Sequence, residues 1–218
     1  MSFGVIFDWD GVVIDSSSAH ELSWEMLAAE VGKPLPAGHF KEGFGKKNQE
    51  IIPGILKWEG DPEMVDHWGK RKEELYRQIV REQGVRVLPG ARELLRALMR
   101  LGIPRSVGSS TPRENLDAIF AVTGLGALFD AVVCGDDVAN GKPAPDVFHL
   151  AASKLRLSPD KCLVIEDAHV GIEAAHRAGM RVLAVATTHP LSELAEADAA
   201  VASLEAVAPD YIIRLLQQ

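Results

Sequence analysis

The stretch that most constrains this chain is Gly4–Ser16, GVIFDWDGVVIDS. Val5, Ile6 and Phe7 form a short apolar run that stops abruptly at Asp8-Trp9-Asp10-Gly11. A brief apolar run closed by a glycine turn reads as a buried strand, although so few residues leave a helix open. In an open parallel sheet, ligands sit outside the carboxyl ends of the strands, and Asp8 and Asp10 would stand there. Two carboxylates this close repel unless a cation lies between them or their protonation states differ. Gly11 lets the backbone fold back tightly behind them. Taken singly, the motif is also compatible with a strand that ends in an Asx turn.

The rest of the chain supplies the context. Ser16-Ser17-Ser18 offers cap hydroxyls, Glu21 stands where a capping box has its far half, and Ala19–Val31 carries apolar residues at helical spacing. His20 and Trp24 are four apart and share one helix face. They read either as a solvated histidine and a core tryptophan, or as a pair facing a cleft above Asp8. The segment KEGFGKKNQ between Phe40 and Glu50 holds three lysines, among them Lys46 and Lys47. It is a solvated face or an anion contact before a helix expected at Glu50–Trp58. Asp61-Pro62 then opens a long helix with an N-cap and a proline at its first position.

From Val85 the pattern changes to alternating strands and helices. Strands are expected at Ile103–Gly108, Ala131–Cys134, Leu163–Ile165 and Val182–Val185, with a short edge strand at Ala199–Val201. Helices between them imply an α/β protein with a doubly wound parallel sheet and right-handed crossovers. The expected organisation is a core domain of residues 1–15 and 84–218, with a helical-bundle domain of residues 16–83 inserted after the first strand.

Four expected strand ends carry polar residues. Beside Asp8 and Asp10 stand Ser109 with Ser110 and Thr111, Lys142 in a proline-stiffened loop, and the pair Glu166-Asp167. Singly, the hydroxyls and the acidic pair read as helix caps, and Lys142 as an exposed loop residue. Together they line one edge of one sheet. Oxygen-only ligation favours Mg²⁺ over zinc, and no His/Cys pattern competes for a metal. A cation, a lysine and a hydroxyl suit the charge that phosphoryl transfer spreads over three oxygens, and a remaining carboxylate suits a nucleophile.

In this order and at these spacings, Asp8-Trp9-Asp10-Gly11-Val12, Ser109, Gly141-Lys142-Pro143 and Glu166-Asp167 resemble the four motifs of the haloacid dehalogenase superfamily. The helical insert resembles the cap of its β-phosphoglucomutase and sugar-phosphate phosphatase subgroup. The resemblance implies Asp8 as nucleophile and Asp10 as general acid/base, with Ser109 and Lys142 binding the phosphoryl group beside Gly11 and Ser110. It also implies Mg²⁺ held by Asp8, the Asp10 carbonyl and Asp167, with Glu166 in support. Lys46, Lys47, His20 and Trp24 are the candidate substrate residues of the cap.

The expected activity is a Mg²⁺-dependent phosphatase acting on a small phosphorylated metabolite, a sugar phosphate above all, through an aspartyl phosphate. A phosphomutase is the alternative. Ser16, His20 and Trp24 resemble the mutase, as does Lys70-Arg71-Lys72. Gly43-Phe44-Gly45-Lys46 departs from it where the mutase carries an arginine, and Ala168-His169 departs after the fourth motif. A third reading is a phosphate-binding regulator without turnover. Dehalogenase chemistry leaves Asp10 without a task.

A formal charge of −8 argues against nucleic-acid and membrane-surface partners, since both are polyanionic. Cys134 and Cys162 lie in apolar runs and read as buried thiols rather than a disulfide framework. No basic leader or apolar run of membrane-spanning length is seen, so the expected location is cytoplasmic. The sequence leaves the oligomeric state open.

Overall fold

The computed structural model describes residues 3–43 and 46–217. The chain divides into two compact units, Met1–Asp15 with Arg86–Gln218, and Ser16–Val85.

The first unit holds six parallel strands in the order β5-β4-β1-β6-β7-β8. They are β1 (Gly4–Phe7), β4 (Arg105–Gly108), β5 (Ala131–Val133), β6 (Cys162–Glu166), β7 (Arg181–Val185) and β8 (Ala199–Val201). β1 is paired on both sides, Phe7 lying level with Val107 of β4 and Ile165 of β6. The chain builds outward from β1 to β5 on one side, then returns to build β6, β7 and β8 on the other. Reversal of direction at β1 opens a crevice at the carboxyl ends of β1, β4 and β6.

Strands buried on both faces read as continuous apolar runs, which is why β1, β6 and β7 do so. Ile6, Val164, Val182 and Ala184 join one core cluster with α7 (Asp146–Lys154) and α8 (His169–Arg177). On the other side α5 (Ala91–Arg100) packs on β4, and α9 (Pro209–Gln217) on β6. The helix α6 (Arg113–Thr123) follows β4. Cys134 and Cys162 are buried free thiols, and burial pushes Cys162 up to about 12.

A pairing not anticipated from sequence joins β2 (Ile14–Asp15) to β3 (Arg86–Val87) as a two-residue antiparallel ladder. Two residues are too few to show a period of two, so no pattern could have announced it.

The second unit is helical, with α1 (Ser17–Val31) packed on α4 (Pro62–Gln83) and the short α2 (His39–Gly43) and α3 (Asn48–Glu50) between them in sequence. Its core gathers Trp24, Leu27, Ile52, Ile55, Trp58, Trp68 and Leu75. The Asp61 side chain accepts from the Met64 amide at 2.8 Å, capping α4 ahead of Pro62. Two expectations are corrected here. Ser16 occupies the N-cap position of α1, but its side chain makes no cap hydrogen bond. The helix expected over Glu50–Trp58 is replaced by three α-helical residues and a wider π turn, Ile51–Ile55, in which the Leu56 amide reaches back to the Ile51 carbonyl. Pro53 has no amide to donate, and the wider turn accommodates that gap. No described helix is long and apolar enough to cross a membrane.

Candidate active site

Asp8 follows directly after β1, and its amide still donates to the Ile165 carbonyl at 2.9 Å, so the end of β6 holds its backbone. Trp9 turns the opposite way and is fully buried, its ring 5.1 Å from Phe120 and 6.0 Å from Phe129. That anchor fixes the loop. The Trp9 carbonyl accepts from the Val13 amide at 2.9 Å, which folds the chain back as the sequence suggested. Gly11 is required twice over. Its φ is +78°, and a Cβ there would lie 1.9 Å from Asp167 Oδ2.

Lys142 reaches this point from the long loop before α7. Its Nζ lies 2.7 Å from Asp8 Oδ1 and 2.7 Å from Glu166 Oε1, above the face of Phe148. Burial alone would lower the lysine's pKa. The Asp8 and Glu166 charges outweigh burial and hold it above the ordinary value. Glu166, the last residue of β6, spends its other oxygen on the amides of Asp167 and Ala168, at 2.7 and 2.9 Å. Gly171 makes room for it, since a Cβ there would stand 1.6 Å from Glu166 Oε1.

Asp8, Glu166 and Asp167 each offer an oxygen, all within 4.8 Å of one another, and all three residues are buried. Desolvation pushes Asp8 up to about 7, against the pull of Lys142, and pushes Asp167 up as well. With all three carboxyls ionised against one ammonium, two negative charges would be left over in a buried space, which is why Asp8 and Asp167 hold their protons more tightly. One divalent cation would close that deficit, and an all-oxygen donor set fits a hard ion. Asp10 stands outside this trio of carboxylates. The Thr111 hydroxyl donates to Asp10 Oδ2, which leaves the Asp10 main-chain carbonyl as the group the resemblance assigns to the cation.

Ser109 follows β4 and is buried. It does not cap α6, whose N-cap position is Pro112. Its Oγ accepts from the Thr111 amide and donates to Thr111 Oγ1, both at 3.1 Å. Ser109, Thr111 and Asp10 thus form one hydrogen-bonded row. Ser110 is exposed beside it.

The remaining candidates lie in the helical unit. Trp24 is buried in that unit's core, 6.4 Å from Trp58. His20 stacks on Tyr76 with ring centres 4.0 Å apart, and its Nδ1 accepts from Lys72 Nζ at 2.6 Å. Burial and the Lys72 charge push His20 down to about 3, so it is a neutral acceptor rather than a solvated cation. Lys46 and Lys47 are exposed. Phe44 and Gly45, which belong to the segment compared with the mutase loop, lie outside the described residues.

Two residues not anticipated from the sequence belong to this site. Thr188 Oγ1 lies 2.6 Å from Asp167 Oδ2, and the Thr187 hydroxyl donates to the Gly11 carbonyl. Both follow β7, and a polar pair just past an apolar strand is the signal that would have found them.

A family model described as haloacid dehalogenase-like hydrolase matches residues 4–179. The chain is 38% identical over 205 residues to the chloroplastic 5-amino-6-(5-phospho-D-ribitylamino)uracil phosphatase of Arabidopsis thaliana. That match takes in 93% of the chain but only 54% of the Arabidopsis protein, so the chain spans about half that relative's length. It is 30% identical to the phosphorylated carbohydrates phosphatase of Thermotoga maritima, with 98% of each chain covered. The crystal structure of β-phosphoglucomutase from Clostridium difficile superposes with a TM-score of 0.85 at 25% identity, covering 100% of this chain and 98% of that one.

Proposed function

The chain belongs to the haloacid dehalogenase-like hydrolase family, and from that membership we propose a Mg²⁺-dependent phosphatase of small phosphorylated metabolites, sugar phosphates foremost. The observation that carries this reading is the Lys142 ammonium bridging Asp8 and Glu166 while Asp167 completes an oxygen-only trio. The names of the relatives support it: two that cover nearly the whole chain are phosphatases, one of them of phosphorylated carbohydrates.

Asp8 and Asp167 would hold Mg²⁺, with the Asp10 carbonyl. Glu166 supports them, because both of its oxygens already serve Lys142 and two amides. The cation, when bound, supplies positive charge against the phosphoryl oxygens. Two of the three Lys142 N–H groups are occupied by Asp8 and Glu166, and the third donates to a phosphoryl oxygen. The Ser109 hydroxyl turns from Thr111 to a second oxygen. Asp8 attacks phosphorus, its oxygen forming the new P–O bond as the ester P–O bond breaks. Asp10, oriented by Thr111, gives its proton to the leaving oxygen. It then takes a proton from the water that hydrolyses the aspartyl phosphate. General acid/base help of this kind is worth roughly 10²–10⁴-fold.

One observation favours a second reading, a phosphomutase: the close superposition with β-phosphoglucomutase over the full length of this chain. A screen of metabolite phosphates with and without Mg²⁺ tests the first reading. Incubation with β-glucose 1-phosphate and a bisphosphate primer separates the two by yielding free phosphate or glucose 6-phosphate.

A further inference from the structure

We propose that Thr188 is a positioning residue for Asp167, fixing which of its two carboxylate oxygens is left for the cation. The proposal rests on the cation reading above and concerns a residue that reading does not use.

Thr188 Oγ1 lies 2.6 Å from Asp167 Oδ2 and 3.0 Å from the Asp167 main-chain oxygen. A hydroxyl has one proton to give. The carboxylate oxygen is the nearer and the charged acceptor, and such bonds are the stronger ones. The main-chain oxygen has another donor, because His189 Nδ1 lies 3.2 Å from it and 3.0 Å from Thr188 Oγ1. A proton on His189 Nδ1 therefore serves both, and the Thr188 proton goes to Oδ2. The same oxygen is pressed against Gly11, where the place of a Cβ would be only 1.9 Å away. Held from two sides, Oδ2 is committed, and Oδ1 is the oxygen left for a cation.

Thr187 extends the device. Its hydroxyl donates to the Gly11 carbonyl, so one dipeptide after β7 ties down both the turn that follows Asp8 and the carboxylate that follows β6. Both threonines are exposed residues outside the described core clusters. Removing the Thr188 hydroxyl therefore leaves the packing of the sheet intact.

The test is titration of Mg²⁺ into chelator-stripped full-length protein, followed by calorimetry, for wild type, Thr188→Val and Thr188→Ser. Loss of an outer partner of a metal ligand typically weakens binding 10–100-fold, so Thr188→Val should bind Mg²⁺ about tenfold or more weakly. Thr188→Ser restores the hydroxyl and should stay within about threefold of wild type. Melting temperatures in chelator should be equal for all three. Thr188→Val binding within about twofold of wild type, or Thr188→Ser as weak as Thr188→Val, overturns the proposal. If Thr188→Val does not fold, Thr188→Ala replaces it under the same criteria. Failure of both to fold assigns the hydroxyl to the fold and overturns the proposal. Wild type that binds no Mg²⁺ overturns it together with the cation reading, whereas equal binding by wild type and Thr188→Val overturns the role of Thr188 alone.

Discussion

Lys142 Nζ lies 2.7 Å from Asp8 Oδ1 across 134 positions of sequence, with both side chains nearly excluded from water. Contact over that span costs loop-closure entropy, and burial costs both ions their hydration. The pair persists because Glu166 accepts a hydrogen bond from a second lysine N–H and the end of β6 holds Asp8 from beneath. The site is a charge assembly first, with its chemistry depending on that assembly.

Removing the lysine should therefore cost stability as well as activity. Lys142→Ala leaves two buried carboxylates without a counter-charge, and breaking a buried pair this way costs about 3–5 kcal/mol. Chemical denaturation in chelator should show the loss at pH 8. At pH 5 the loss should shrink, because a protonated Asp8 needs no partner.

Gly171 is a second sensitive point. Gly171→Ala would drive a methyl into Glu166 Oε1, which Lys142 holds in place. Overpacking of this kind costs about 1–3 kcal/mol, and displacement of Glu166 also loosens Lys142. Thermal melts should fall, and phosphatase activity should fall further than the melting temperature alone explains.

Response to Mg²⁺ should depend on pH with a definite sign. Burial pushes Asp8 up to about 7 from an ordinary 3.8, and pushes Asp167 up too. Between those values the native state binds more protons than the unfolded chain. The Asp8 contribution is full below pH 3.8 and is lost as pH rises through about 7. A divalent cation replaces the missing protons, so the rise in melting temperature on adding Mg²⁺ should be small at pH 5 and larger at pH 8. His20 works in the opposite sense. Lowered to about 3, it contributes stability that is gained as pH climbs to 6.5. It belongs to the helical unit and cancels when melts with and without Mg²⁺ are subtracted.

Much of this was legible in the residues themselves. β1, β6 and β7 are buried on both faces, so their apolar runs end sharply, and Asp8 and Glu166-Asp167 mark those ends. Thr188 was not legible in the same way. Threonine is common in turns, and its target Asp167 lies 21 positions away on a neighbouring strand's loop. Thr111 was visible beside Ser109, but its bond to Asp10 depends on β4 lying next to β1. The two-residue strands β2 and β3 are too short to display alternation, and the single π turn at Pro53 carries apolar residues that read equally well as part of an α-helix.

The central claim is that Asp8 itself accepts the phosphoryl group. Acid-quenched protein taken during turnover of p-nitrophenyl phosphate with Mg²⁺, digested and weighed by mass spectrometry, tests this most directly. The account predicts a phosphoryl group on the peptide containing Asp8. In Asp8→Asn that peptide should stay unmodified and turnover should fall by about 10⁴-fold or more, as expected for loss of a nucleophile. An Asp8→Asn protein that keeps wild-type turnover, or a phosphoryl group found on another residue, would contradict it.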